Sequence, residues 1–296
     1  MWFISVSIIL MNIPVFIITP RLDRPTSATK MTMISLAITD ISVGILAVLR
    51  LSYFAINCGY YYADDYLCHI DGLLQSILGG VSIISLVHLC VDRVVSIKYP
   101  LWYPIHCTKK VVSGIIVGMW VYVTSSLSAT HFILKTKVSM KHSLYCALTP
   151  GYGSVSTMVA VVLGFFAPAC VIFACAVVLY DIVHQQRTQI SAIECAVTEA
   201  SRTQGLMSHV KSIRTIFCMV AGYYICWTPV TILVWLWTYF YGHVYSPQAE
   251  AVAGWFAITN SMVNSLVYLP TNREYRETFK QIFLSKLCSD PVDSVD

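Results

Sequence analysis

The sequence predicts an all-α membrane protein: a bundle of seven transmembrane helices, followed by a short amphipathic helix on the membrane surface. Three observations predict it. Of the 296 residues, 57% are hydrophobic and only 11% charged, with mean hydropathy +0.69, against about 25% charged in soluble domains. Seven apolar runs reach the roughly 20 residues a helix needs to cross the hydrocarbon core; they lie near 2–20, 31–57, 67–97, 110–131, 155–184, 210–240 and 247–270. The basic residues also sort by side. Fifteen of the 19 Lys and Arg fall in segments that seven crossings place together, three (Lys135, Lys137, Lys141) follow span four, and Arg50 lies inside span two. Membrane β-strands would show strict alternation over about ten residues, and no such pattern occurs.

The basic side is predicted to be cytoplasmic, which puts the N-terminus outside and the C-terminus inside a multi-pass plasma-membrane protein. The net charge of +4 then reflects topology, not nucleic-acid binding. Span one lacks the charged leader of a cleavable signal and is expected to act as its own insertion signal, closing at Pro20 and Arg21. Span two carries Asp40 and Arg50. Span three runs from Cys68 to Asp92 and Arg93, and Pro100 ends its continuation, because the residue before a proline disfavours helix. Pro168 in span five and Pro229 in span six predict kinks, since an interior proline removes a backbone hydrogen bond. The polar stretch 185–209 reads as a cytoplasmic loop.

After span seven, Tyr275, Phe279, Ile282 and Phe283 share one face of 272–284, while Lys and Arg on the other face suit anionic lipid. A receptor domain of 1–286 and a short cytoplasmic tail of 287–296 follow. Most of the eleven cysteines lie inside spans and read as small hydrophobes. Cys68 and Cys146 lie on the outer, oxidising side. No metal-ligand cluster, nucleophile with a base, or phosphate loop occurs, so no enzyme is predicted.

The run from Leu89 through Asp92, Arg93 and Val94 to Tyr99, Pro100 and Leu101 puts an acid and an arginine at the end of an apolar helix. Charges at a membrane edge are costly unless they have a task. This run resembles the D-R-Y motif and second cytoplasmic loop of rhodopsin-like (class A) G-protein-coupled receptors. Further matches occur in order: Asn12 in span one, Leu36-Ala37-Ile38-Thr39-Asp40 for L-A-x-x-D, Cys68 25 residues before Arg93, Trp120 in span four, Pro168 in span five, Cys226-Trp227-Thr228-Pro229 for C-W-x-P, and Asn260 to Tyr268 for N-S-x-x-N-P-x-x-Y with Ser265 in the proline position.

The resemblance implies roles. Asp92 would pair with Arg93 at rest, and Arg93 would swing toward a heterotrimeric G protein on activation. Leu101 would insert into an apolar pocket of that G protein, and arrestin is a further expected partner. Trp227, Pro229, Asn264 and Tyr268 would form the switch. Asp40, Ser82, Asn260, Ser261 and Asn264 would form a pocket for an allosteric sodium ion, and hard cations prefer such oxygen ligands; a neutral, hydrogen-bonded Asp40 is the other reading. Cys68 would pair with Cys146, with Cys58 a possible competitor, and Cys288 is a palmitoylation candidate or a plain free thiol. The acid usual at the base of span six is replaced by His209, and the span-five tyrosine by Ala176, with Tyr180 one turn further on. Loss of the acid predicts high basal activity.

The branch most resembled is the aminergic and trace-amine-like one, yet its amine-binding aspartate is Gln75, its buttressing tyrosine is Ile258, and its span-five serines are Ala160, Val161 and Gly164. An ammonium without a counter-charge there would suffer a large desolvation cost, so no standard monoamine ligand is predicted. The candidate ligand pocket is Arg50, Asp71, Gln75, Trp227, Glu250 and Trp255. Arg50 either pairs with Asp71 or holds a ligand carboxylate or phosphate, and a peptide ligand stays open. The rival from another class is a non-signalling decoy receptor. A transporter would need a line of ionisable residues through the bundle, and an opsin-type sensor would need a lysine where Ile258 stands.

Overall fold

The computed structural model describes residues 1–23, 26–56, 65–133, 137–139, 147–149, 159, 161–194, 215, 217–242 and 245–284. Cys146, Ala160, His209 and Cys288, and with them the predicted tail, lie outside the described residues. Span one is α1 (Trp2–Ile18), closed by a 3₁₀ turn at Thr19–Arg21. Spans two and three are α2 (Ser27–Ile56) and α3 (Asp65–Lys98). A one-turn helix, α4 (Tyr103–His106), precedes span four, α5 (Lys109–Ile133). An antiparallel hairpin then pairs β1 (Lys137–Ser139) with β2 (Ala147–Thr149) and packs against α3. Span five is α6 (Ala167–Glu194), span six runs through α7 (217–230) to α8 (Trp237–Tyr241), and span seven is α9 (Pro247–Leu266) with α10 (Tyr268–Thr271). The surface helix α11 spans Arg273–Phe279.

Span three is the hub, packing on spans two, four and five, while span seven packs on spans one, two and six. Among the described residues, five helices are long and apolar enough to cross a membrane, and Phe217–Leu233 is a shorter apolar helix. Span seven is less apolar because its polar residues face inward: Glu250, Asn260, Ser261, Asn264 and Ser265 are all buried. Large apolar side chains such as Phe3, Leu49, Val121 and Phe173 face outward instead, where lipid rather than water solvates them. The main apolar core joins Leu36, Leu86, Ile172, Leu179, Tyr223 and Tyr268. Spans six and seven touch at Gly222, where a Cβ would run into Val263. Gly242, at φ 75°, ends α8 in the left-handed region that favours glycine.

Two expectations need correction. The stretch expected to be loop from residue 185 continues as helix to Glu194. Its Gln, Arg and Ala residues are good helix formers with no Gly or Pro among them, so the rise in polarity marks the exit from lipid and not the end of the helix. The prolines also do not act alone: π turns occupy Val162–Phe166, just before Pro168, and Thr231–Leu236, just after Pro229. Inserted residues of this kind are a recognised cause of helix distortion.

Beside the first π turn, span six is tied to span five by two tyrosines. The Tyr223 hydroxyl donates to the Phe165 carbonyl at 3.3 Å, and that of Tyr224 to the Ala169 carbonyl at 2.7 Å. The surface helix is capped by Asn272, whose side chain accepts from the Tyr275 N–H. Tyr275 is buried, Phe279, Ile282 and Phe283 are half-buried against the core, and the predicted apolar face is the one that packs.

Candidate functional site

Three polar clusters lie along the bundle. The first is at the Asp92 end. Asp92 is buried at 6% exposure, which an ionised carboxylate tolerates only with partners. Thr29 Oγ1 donates to one carboxylate oxygen at 2.7 Å, and the Tyr103 hydroxyl to the other at 2.5 Å. The expected Asp92–Arg93 pair is therefore not formed. Adjacent residues on a helix point about 100° apart, and span two and α4 reach the acid first. Arg93 has no ion-pair partner among the described residues. Leu101 is 86% exposed, presented by the loop between span three and α4.

The second cluster is at mid-depth. Asp40 is fully buried. Ser82 Oγ donates to one of its oxygens at 3.2 Å and Asn264 Nδ2 to the other at 3.1 Å. Asn260 and Ser261 are buried nearby in sequence, and the Oδ1 atoms of Asn260 and Asn264 are buried with no hydrogen-bond partner. Span one closes this region: Asn12 Nδ2 donates to the Ile8 and Ser261 carbonyls at 2.8 and 3.0 Å. Ser265 Oγ in turn donates to Asn12 Oδ1. A proline at 265 could not make that bond, so serine there adds a tether between spans one and seven. Tyr268 is buried against Tyr275, with ring centres 5.8 Å apart. Tyr180 is 58% exposed and rests on His184, so it does not face Tyr268.

The third cluster holds the expected ligand residues. Arg50 Nη2 donates to Asp71 Oδ1 at 3.0 Å and to Gln75 Oε1 at 3.3 Å, and Arg50 Nε lies 2.8 Å from Asp71 Oδ2. Of the two readings for Arg50, the pair with Asp71 is the one formed, and Gln75 joins it. Arg50 Nη1 is buried and has no partner. Trp227 lies against Gly79, one turn along span three from Gln75, and its ring centre is 6.2 Å from that of Trp235. Trp255 packs instead with Ile8, Val43, Leu51, Leu78 and Ile258. Glu250 is buried one turn before Ala253, which packs on Val230 of span six. Pro229 sits beside the Trp227 turn, half-buried. Cys68 is buried and disulfide-bonded, and its predicted partner Cys146 lies outside the described residues.

Compared with known families, residues 11–268 match the 7 transmembrane receptor (rhodopsin family) pattern. The chain belongs to this family. It is similar to trace amine-associated receptor 5 of Homo sapiens, 25% identical over 274 residues that cover 90% of this chain and 79% of the relative. It is likewise similar to the histamine H2 receptor of Canis lupus familiaris, 27% identical over 268 residues covering 88% and 71%, and to the human H2 receptor, 23% identical over 282 residues covering 90% and 73%. A rhodopsin-family receptor of this kind is a multi-pass membrane protein that passes a ligand's signal to a G protein.

Within this receptor, the structure joins Asp40, Ser82 and Asn264 by hydrogen bonds and buries Asn260 and Ser261; sequence reasoning missed Tyr103, Thr29 and the Asn12–Ser265 bond. A phenol eleven residues after an acid carries no periodic signal, and Thr29 is separated from Asp92 by 63 residues. Trp120, which the sequence singled out, donates its indole N–H to Ser35 at 3.3 Å.

The mid-depth cluster fits a sodium ion: one buried carboxylate, hydroxyls, and two amide oxygens without donors, all hard oxygen ligands. Asp40, Ser82, Asn260, Ser261 and Asn264 would hold it. Asp40→Asn keeps the shape and one acceptor oxygen but removes the charge. In wild-type receptor, sodium at about ten times its Kd is expected to stabilise the fold by about 1.4 kcal/mol, measured as a higher Tm in sodium chloride than in choline chloride. The D40N variant should show no difference between the two salts. A sodium-dependent Tm that survives in D40N would rule out this pocket.

Proposed function

We propose that this receptor sits in the plasma membrane with its N-terminus outside, signals to G proteins with substantial basal activity, and recognises a ligand other than a simple monoamine. The observation that carries the basal-activity reading is Arg93. Its neighbouring acid is held by Thr29 and Tyr103, which leaves the guanidinium with no acid among the described residues to keep it in place. The exposure of Leu101 and Ile105, 86% and 70%, supports a G-protein contact on the same side, and arrestin would compete for it. The surface helix, with its apolar face packed and Arg273, Arg276 and Lys280 exposed, supports lipid contact there, and palmitate on Cys288 would extend that anchor.

The ligand reading rests on the third cluster. Gln75 stands where an ammonium would need a carboxylate, and Asp71, the nearest acid in span three, is occupied by Arg50. A carboxylate- or phosphate-bearing ligand has a donor waiting in Arg50 Nη1. A peptide ligand presenting such a group fits the same reading.

The test is basal G-protein dissociation across the four Gα classes, comparing wild type with Arg93→Ala at matched surface expression. A wild-type signal above mock cells that Arg93→Ala removes is the expected result. A signal that persists in the variant would sink the role of Arg93. No signal in any class would sink high basal activity and favour a non-signalling decoy. Simple monoamines added to the same cells are expected to leave the signal unchanged.

A further inference from the structure

We propose that Thr26 is a phosphorylation site for a cytoplasmic serine/threonine kinase, and that a phosphate there lowers signalling by drawing the hydroxyl donors away from Asp92. The proposal rests on the orientation and the basal-activity reading given above. Asp92, Thr29 and Tyr103 are buried, at 6%, 1% and 4% exposure. A fourth residue joins them from outside. Thr26, the residue before α2, is exposed. Its Oγ1 lies 3.0 Å from Thr29 Oγ1 and 3.2 Å from the Tyr103 hydroxyl. Of these four residues it is the one an enzyme can reach.

The direction of the bonds decides what a phosphate does. A hydroxyl carries one proton. Thr29 and Tyr103 both give theirs to the Asp92 carboxylate, so Thr26 stands toward them as the donor. It also accepts from the Thr29 N–H at 3.4 Å. Esterified, Thr26 has no hydroxyl proton left to give. The phosphate carries about −1.5 to −2 charge at neutral pH and three strong acceptor oxygens. It competes with Asp92 for the protons of Thr29 and Tyr103, and it repels the carboxylate as a like charge. Asp92 is then free to hold Arg93, which otherwise has no ion-pair partner among the described residues. Local charge suits the modification. Between residues 21 and 30, Arg21, Arg24 and Lys30 stand against a single acid, Asp23, and kinases select substrates by such charge patterns. In the transfer, Thr26 Oγ1 attacks the γ-phosphorus of ATP. The bond from that phosphorus to ADP breaks, ADP departs, and the hydroxyl proton passes to the kinase's base.

A threonine that merely caps α2 would make the same contact with the Thr29 N–H and take no phosphate. Asparagine and aspartate both cap helices well, but only aspartate adds a charge and lacks a donor, so the pair separates the two roles. The full chain is expressed in cells under a phosphatase inhibitor, immunopurified and mapped by phosphopeptide mass spectrometry. Phosphate on Thr26 that phosphatase removes and that Thr26→Asn lacks is expected. Basal G-protein dissociation is then compared at matched surface expression. Thr26→Asn should equal or exceed wild type, and Thr26→Asp should lower the active-to-resting ratio by about tenfold. Adding Thr26→Asp to the Thr29→Val, Tyr103→Phe double variant should lower it no further, because both changes act by releasing Asp92. No phosphate on Thr26, phosphate on Ser27 alone, or equal and measurable signalling in the asparagine and aspartate variants overturns the proposal. Silence in both wild type and Thr26→Asn overturns the basal-activity reading and the effect on signalling with it. An N-terminal epitope stained on intact cells checks the orientation separately; an epitope that stains only after permeabilisation overturns the orientation and the site together.

Discussion

Arg50→Ala is expected to cost about 3–5 kcal/mol of stability, the usual penalty for removing one partner of a buried ion pair. The Arg50 side chain is 1% exposed and that of Asp71 13%, so solvent screening offers little relief. The variant strands the Asp71 carboxylate and releases Gln75, which also accepts from Arg50. Arg50→Lys is expected to lose part of the same stability, because one ammonium cannot reproduce the two-point contact of a guanidinium with a carboxylate. The double variant Arg50→Met, Asp71→Leu should recover most of it, since an apolar pair of similar size removes both charges together. Thermal unfolding of purified receptor, with surface expression as a second readout, checks this order. If Arg50→Ala unfolds at the wild-type temperature, the pair is dispensable and Arg50 is kept for its ligand alone.

Tyr103→Phe is expected to lower basal G-protein signalling, because the released Asp92 carboxylate becomes free to hold Arg93. Its hydroxyl donates to the Asp92 carboxylate at 2.5 Å, and a hydrogen bond to a charged group is worth about 1.5–3 kcal/mol. Since that bond keeps Asp92 away from Arg93, its loss lowers the ratio of active to resting receptor by about ten- to hundredfold, at 1.4 kcal/mol per factor of ten. Burial, and then the neighbouring Asp92 carboxylate, push the Tyr103 phenol above its ordinary value. The phenol therefore keeps its proton, and its role as donor, across the physiological range. Thr29→Val removes the other donor at 2.7 Å and should act in the same direction. The measurement is basal G-protein dissociation at matched surface expression, read as the active-to-resting ratio. Unchanged or raised signalling in both variants would mean that the Asp92 clamp is not what keeps Arg93 free.

The two predictions draw on different kinds of knowledge. Asp92, Arg93, Asp40 and Arg50 were all visible as charges in or beside apolar runs, because a charge in a membrane span stands out against its neighbours whatever the fold. Their partners were not visible in the same way. The adjacency of Asp92 and Arg93 suggested a pair, yet neighbours on a helix diverge while Thr29 and Tyr103 converge on the acid. Ser265 read as a lost proline, whereas it gains a bond to Asn12 across 253 residues.

By itself the sequence determined the all-helical class, the membrane crossings, the order of the motifs and the receptor family. Hydropathy and backbone hydrogen bonding are satisfied within each span, so they can be read one segment at a time. The tertiary structure alone decided that Arg50 pairs with Asp71 and Gln75, that Arg93 stands apart from Asp92, and that the helix of span five outlasts its apolar run. Those outcomes depend on which helix faces meet and at what depth, and that follows from side-chain packing across spans rather than from the local pattern of any one of them.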